Sequence, residues 1–163
     1  MDIDINIFED LFKKRPEISR INLEKDLKNY YLTYAQKLIG LKKGKDSSKG
    51  LIVGVSAIQG AGKTTQGEIM KILLKHLGYS VVNLSIDDYY ITHKELNELR
   101  EKDSRFIRRG VTHDIFLAVE NLTDLKKMRD GEEVKLPIYD KGLHDGDGDR
   151  SGWKSITKKP DFI

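Results

Sequence analysis

The residues best placed to do chemistry lie in the stretch 51–65, which reads Leu-Ile-Val-Gly-Val-Ser-Ala-Ile-Gln-Gly-Ala-Gly-Lys-Thr-Thr. Small residues at Ala57, Gly60, Ala61 and Gly62 let backbone N–H groups close around phosphate oxygens, and a helix opening at Lys63 adds a favourable dipole. The pattern is G-x-x-x-x-G-K-[ST], a P-loop, with Ala57 in place of the first glycine. Ala57, Gln59, Gly60, Ala61, Gly62, Lys63, Thr64 and Thr65 are therefore the expected phosphate-binding residues. Lys63 would reach the β- and γ-phosphates, and the Thr64 hydroxyl would bind Mg²⁺. This reading, a site for a nucleoside triphosphate, is preferred over an ordinary Gly-rich turn.

Further along stands Asp87-Asp88-Tyr89-Tyr90. A carboxylate there would take the proton of an attacking hydroxyl or hold the Mg²⁺ shell. Capping of a following turn is the bland alternative. His113-Asp114 has two readings, a helix N-cap and a substrate contact. Arg105, Arg108 and Arg109 would bind a carboxylate or phosphate, or line a solvated loop. Gly146-Asp147-Gly148-Asp149-Arg150 alternates Gly and Asp as a calcium loop does, but no Glu stands at the twelfth position, so calcium ranks low.

The elements that must position these groups can be read from periodicity. Ile3, Ile7, Phe8, Leu11 and Phe12 have helical spacing, stopped at Pro16. A second helix is expected with Asn22 as its cap and an apolar stripe of Leu23, Leu27, Tyr30, Tyr34, Leu38 and Leu41, packed on the core. After a polar connection over 42–50, strands are expected at 51–56 and 81–86, flanking a helix from Lys63 to Leu77. That is a right-handed βαβ unit in a parallel sheet, and the carboxyl end of its second strand carries Asp87 and Asp88. Helices are expected over 94–102 and 115–128, an edge or non-sheet extended segment over 134–139, and an irregular loop over 140–152. The last residues, 159–163, read as the approach to a further buried strand.

Composition narrows the class. The chain has 163 residues, no cysteine, and Lys+Arg 29 against Asp+Glu 26. Disulfide frameworks and thiolate zinc sites are excluded. The acidic N-terminus lacks a secretory signal, and no apolar run approaches the roughly 20 residues that span a bilayer. A soluble, cytoplasmic protein is expected. Basic clusters such as Lys13-Lys14-Arg15 lack interleaved aromatics, so a small anionic substrate is preferred to a nucleic acid, and no membrane partner is expected.

Taken together, the motifs resemble the D-glycerate 3-kinase family and related P-loop kinases, within the phosphoribulokinase, uridine kinase and pantothenate kinase group. The resemblance covers residues 51–163. It rests on 60–65, Ser85-Ile86-Asp87-Asp88-Tyr89-Tyr90-Ile91-Thr92, Arg109-Gly110 with Thr112-His113-Asp114, Pro137-Ile138-Tyr139-Asp140-Lys141, and 146–150 with Trp153 beyond. It implies an α/β fold with a P-loop NTPase-type parallel sheet flanked by helices (residues 50–163), preceded by a helical extension (1–49). It also implies ATP- and Mg²⁺-dependent phosphorylation of a small hydroxy-acid, glycerate first. Lys63 and Asp87 would be catalytic, with Asp87 as base and, with Thr64, a metal ligand. Asp88, Tyr89, Arg109, His113, Asp114, Tyr139, Lys141 and Arg150 would form the acceptor side. The alternatives are another acceptor, a nucleoside or pantothenate, and a nucleotide-binding module inactive alone. The loop from Arg109 to Thr112 is shorter than in the family, lacking a Pro-Gly pair. Family members continue past the position of Ile163, so the resemblance implies an incomplete kinase core whose exposed sheet edge would favour pairing with itself or another chain.

Overall fold

The computed structural model describes residues 3–44, 46, 48–105 and 112–163, and three of its described α-helices start where a side chain caps them. The chain divides into two units, one of residues up to Asn83 with Pro160–Ile163, the other Leu84–Lys159. Among the described residues, no helix is long and apolar enough to cross a membrane.

In the first unit a 3₁₀ turn, Ile5–Phe8, leads into α1 (Glu9–Lys14). The helix ends at Arg15, whose φ of −135° and ψ of 75° suit a residue preceding proline. Next comes α2 (Arg20–Asp26), a π-helical turn (Leu27–Tyr31) and α3 (Leu32–Gly44) without a break. Ser19, not Asn22, caps α2: its Oγ accepts from the Asn22 N–H at 3.3 Å. The helix simply starts earlier than its acidic first turn suggested.

The π turn changes which face is buried. Its Leu32 N–H donates to the Leu27 carbonyl, five residues back, so one extra residue enters the turn. The expected stripe of Tyr30, Tyr34 and Leu41 therefore moves by one. Tyr31 (8 % exposed), Ala35 (0 %) and Lys42 (5 %) are buried, whereas Tyr30 and Leu41 are 55 % and 54 % exposed. Lys42 buries its stem and donates from Nζ to the Lys49 carbonyl at 2.6 Å. Leu23, Leu27, Tyr31, Ala35 and Leu38 pack with Phe8, Leu11 and Phe12 against Ile69, Leu73 and Leu74 of α4 (Lys63–His76). Arg15 Nε adds an ion pair to Glu68 of α4 at 2.7 Å.

The last residues also belong to this core. Phe162 is 2 % exposed and bridges in parallel to both Leu51 and Val81. The Leu51 N–H donates to the Asp161 carbonyl (2.8 Å), Val53 N–H to Ile163 (2.8 Å), and Val82 N–H to Phe162 (3.0 Å). Asp161 Oδ2 accepts from both Ser80 N and Ser80 Oγ at 2.8 Å, pinning the segment. Parallel pairing among the described residues is limited to these bridges. The regular ladder is antiparallel and lies in the other unit.

There, a 3₁₀ turn (Ile86–Tyr89) stands where the end of the second strand was expected. It is followed by α5 (His93–Lys102), whose Thr92 and Glu95 form a reciprocal capping box, and by α6 (Ile115–Lys127), capped by Asp114. Strands β1 (Val134–Asp140) and β2 (Asp149–Ile156) pair from Val134↔Ile156 to Asp140↔Asp149, with a bulge between Ile138 and Tyr139. Pro137 sits within the ladder of an edge strand, one of the two places expected for 134–139. One expectation is corrected: the supposedly irregular loop 140–152 ends in strand, with 149–152 opening β2. A two-stranded ribbon has only edges, which is where proline is tolerated. Buried Tyr89, Leu96, Ala118, Leu125, Met128, Val134, Leu136 and Ile156 form this unit's apolar interior.

Candidate functional site

The loop before α4 has the backbone its glycines demand. Gly60 has φ +81° and Gly62 φ +76°, a left-handed conformation that costs an L side chain roughly 1–2 kcal/mol. Gly62 occupies the N-cap position of α4 and, having no side chain, leaves the first-turn N–H groups uncapped. The N–H groups and dipole at such an end favour an anion. Lys63 folds back over the loop, donating to the carbonyls of Ala57 (2.8 Å) and Ile58 (3.0 Å). Ala57, Gln59, Gly60, Ala61, Gly62 and Thr64 are exposed, and Thr65 is half-buried.

In the second unit, Asp87 is the centre of a polar cluster. Its backbone N–H is held by Ser85 Oγ at 3.3 Å. Its carboxylate accepts from Lys141 Nζ on Oδ2 (2.5 Å) and from the Tyr90 hydroxyl on Oδ1 (3.1 Å). The Lys141 hydrogen bond, with smaller help from Tyr90 and the charges of Lys141 and His113, holds the Asp87 pKa below the usual carboxylate range against partial burial. Asp87 is thus ionised at neutral pH. Asp88 Oδ1 accepts a long 3.4 Å bond from the Tyr139 N–H.

The remaining residues divide clearly. The Tyr90 ring lies 4.4 Å from that of His113 and 5.3 Å from that of Tyr139. Asp114 does cap α6, accepting from the Leu117 N–H at 3.0 Å, and its other oxygen faces Arg150 Nη2 at 3.5 Å. Arg150 also lies over the Trp153 ring, 5.2 Å from its centroid. Tyr89 is different: it is 3 % exposed, donates to Asn121 Oδ1 at 3.2 Å, and burial followed by the charge of Asp88 pushes its hydroxyl up to about 12. It sits in the apolar interior rather than beside the Asp87 carboxylate. Arg108 and Arg109 lie outside the described residues.

Three buried polar atoms here have no hydrogen-bond partner among the described residues: Thr112 Oγ1, His113 Nε2 and Arg150 Nε. Such atoms are rare in folded proteins, and each calls for an explanation. The turn leading into β2 is held to α5. Arg100 grips Asp147 through Nη1 (2.6 Å) and Nη2 (3.0 Å), the His93 N–H donates to Asp149 Oδ1 (3.0 Å), and the His93 and His144 rings stack at 3.9 Å.

Sequence reasoning picked Tyr89 and passed over Tyr90 and Thr112. A signal for Tyr90 existed, because residues three apart eclipse in a 3₁₀ turn, which brings its hydroxyl to Asp87. For Thr112 there was none.

No family model matches the chain. Among curated proteins it is 36% identical over 126 residues to the uncharacterized kinase mug58 of Schizosaccharomyces pombe, covering 72% of this chain and 45% of that protein. It is 35% identical over 115 residues to the chloroplastic D-glycerate 3-kinase of Arabidopsis thaliana, covering 65% and 25%. It is 37% identical over 94 residues to the uridine kinase of Staphylococcus aureus, covering 57% and 42%. The solved D-glycerate 3-kinase of Cryptococcus neoformans superposes with a TM-score of 0.70 at 28% identity, over 82% of this chain and 50% of that one. The chain spans less than half the length of each of these curated relatives and half of the solved one. It is related by sequence and structure to P-loop kinases of the D-glycerate 3-kinase and uridine kinase kind.

Proposed function

We propose that the chain carries the core of an ATP-dependent small-molecule kinase that moves a γ-phosphate to a hydroxyl of a small hydroxy-acid, with D-glycerate the first acceptor to test. The observation that carries this reading is the loop at Gly62. A left-handed glycine opens α4 on uncapped N–H groups, with Lys63 next in chain and within reach of the same loop. Lys63 would leave the carbonyls of Ala57 and Ile58 for phosphate oxygens, a better partner for an ammonium. We read the bridges of Leu51 and Val81 to Phe162 as the start of the parallel sheet such kinases use.

Magnesium suits the donor set. It takes hard oxygens, keeps several waters and is bound mostly through substrate phosphates. The exposed Thr64 hydroxyl of the first unit and the ionised Asp87 carboxylate of the second are each, taken singly, a donor of that type. When bound, the ion would neutralise charge on the transferring phosphoryl group.

On the acceptor side, Asp87 would orient the attacking hydroxyl and receive its proton. The unpartnered Thr112 Oγ1, His113 Nε2 and Arg150 Nε support an acceptor that brings its own polar group, as a hydroxy-acid carboxylate does. A nucleoside or pantothenate acceptor is the alternative, and a panel of small alcohols separates them. Purified chain with MgATP should release ADP in the presence of D-glycerate and not of uridine or pantothenate. Lys63-dependent ATP binding with no turnover on any acceptor would instead mark a nucleotide-binding module inactive alone. No ATP binding at millimolar concentration would overturn the P-loop reading.

A further inference from the structure

The geometry points to Tyr90 as the positioning residue that fixes the Asp87 carboxylate, an inference whose catalytic consequence rests on the kinase reading above. The two carboxylate oxygens are held by partners of unequal stiffness. Lys141 lies just after β1 on a four-carbon stem and is 50 % exposed. A Lys side chain of that kind exchanges partners readily. Tyr90 is only partly exposed, its ring set against His113 at 4.4 Å and Tyr139 at 5.3 Å, and its backbone bridges to His113. The phenol therefore reaches Oδ1 from a ring that packing holds in place.

The division assigns different work to each oxygen. Oδ1 stays with the Tyr90 hydroxyl. Oδ2 is the oxygen that can pass from Lys141 to an acceptor hydroxyl. In the transfer step the acceptor oxygen forms a bond to the γ-phosphorus, and the bond from that phosphorus to the β–γ bridging oxygen breaks to leave ADP. The acceptor proton passes to Oδ2. A carboxylate free to rotate about its Cβ–Cγ bond would meet that proton in the wrong geometry for part of the time, and small misplacement of this kind is costly in rate. Tyr90 touches no reacting atom; it acts through Asp87. The same ring also rests on His113 and Tyr139, so the carboxylate and the wall of unpartnered atoms share one mechanical support.

Among the described residues, the charged and titratable groups around Asp87 are its neighbour Asp88, Lys141 from the turn after β1, His113 from the segment before α6, and Tyr90 itself. Replacing Tyr90 with phenylalanine removes one hydrogen bond and leaves the ring packing intact. The test is the full chain carrying Tyr90→Phe, with kcat and KM measured with MgATP and the best acceptor, and with crystal structures of wild type and variant compared at Asp87. The Asp87 carboxylate is expected in one orientation in the wild type and in more than one in the variant, and kcat should fall about tenfold at unchanged KM for ATP. An unchanged kcat, or an Asp87 carboxylate ordered identically in both proteins, overturns the proposal. Should the wild type turn over no acceptor, the kinase reading fails separately. The order of the Asp87 carboxylate then decides the Tyr90 contact alone: a loosened carboxylate upholds it and an unchanged one overturns it.

Discussion

Gly148→Ala is expected to damage the second unit far more than its size suggests. Gly148 has φ +79°, and a Cβ built there would lie 2.5 Å from Tyr139 Cε1 and 2.8 Å from its hydroxyl. Those distances are shorter than side-chain contacts tolerate, so the ring must shift. It has little freedom to do so, because Tyr139 is buried, its hydroxyl donates to the Asp147 carbonyl at 3.1 Å, and its ring supports Tyr90. Left-handed strain costs about 1–2 kcal/mol and a forced ring displacement about 1–3 kcal/mol. The sum is about 3 kcal/mol, or a fall in Tm of roughly 6–12 °C for a chain of this size. The assay is thermal melting followed by circular dichroism, with Gly152→Ala as control. Gly152 lies in the same hairpin with nothing within 4 Å of its Cβ position, so its change should fall within about 1 kcal/mol of zero. A Gly148→Ala protein as stable as Gly152→Ala would refute the packing argument.

Other outcomes follow from the same contacts. Lys141→Met should cost under about 1 kcal/mol at pH 7, since both partners are more than one-third exposed and solvent screens the pair. Because the folded Asp87 pKa is depressed, that contribution is present above the unfolded carboxylate pKa of about 3.9 and is lost as pH falls through the folded value. The Tm gap between wild type and Lys141→Met should therefore narrow as pH falls below the unfolded carboxylate value and close once it has passed the folded one. Tyr31→Ala should destabilise the first unit by about 3 kcal/mol and Tyr30→Ala by well under 1 kcal/mol, in urea unfolding. The reverse order would contradict the π-turn shift. Phe162→Ala should cost about 3–5 kcal/mol by the same measurement, because its ring is buried between two bridging segments.

What could be read from the sequence was local. Gly60, Gly62 and Lys63 state their own geometry, since only a left-handed glycine followed by a helix start produces that spacing. The helix from Lys63 and the approach to a buried segment at 159–163 were equally plain, the first from its spacing and the second from Phe162-Ile163 following Pro160. The stripe through Tyr30 and Tyr34 misled because an ideal helix buries those positions, and nothing in Leu-Lys-Asn-Tyr-Tyr announces the extra residue of a π turn. Strand β2 was missed because Asp149, Arg150, Ser151 and Gly152 have low strand propensity. It forms through pairing with β1, a tertiary decision that overrides local preference. At the candidate site the sequence ranked Tyr89 over Tyr90, although turn geometry sends the first inward to Asn121 and the second to Asp87.

The most direct test of the kinase reading is phosphorus NMR of the full chain incubated with MgATP and D-glycerate, run beside Lys63→Ala and Asp87→Asn. The expected result is a new phosphomonoester resonance with matching ADP in the wild type, reduced at least about a hundredfold in each variant. The same resonance at undiminished rate in Lys63→Ala or Asp87→Asn would contradict the account.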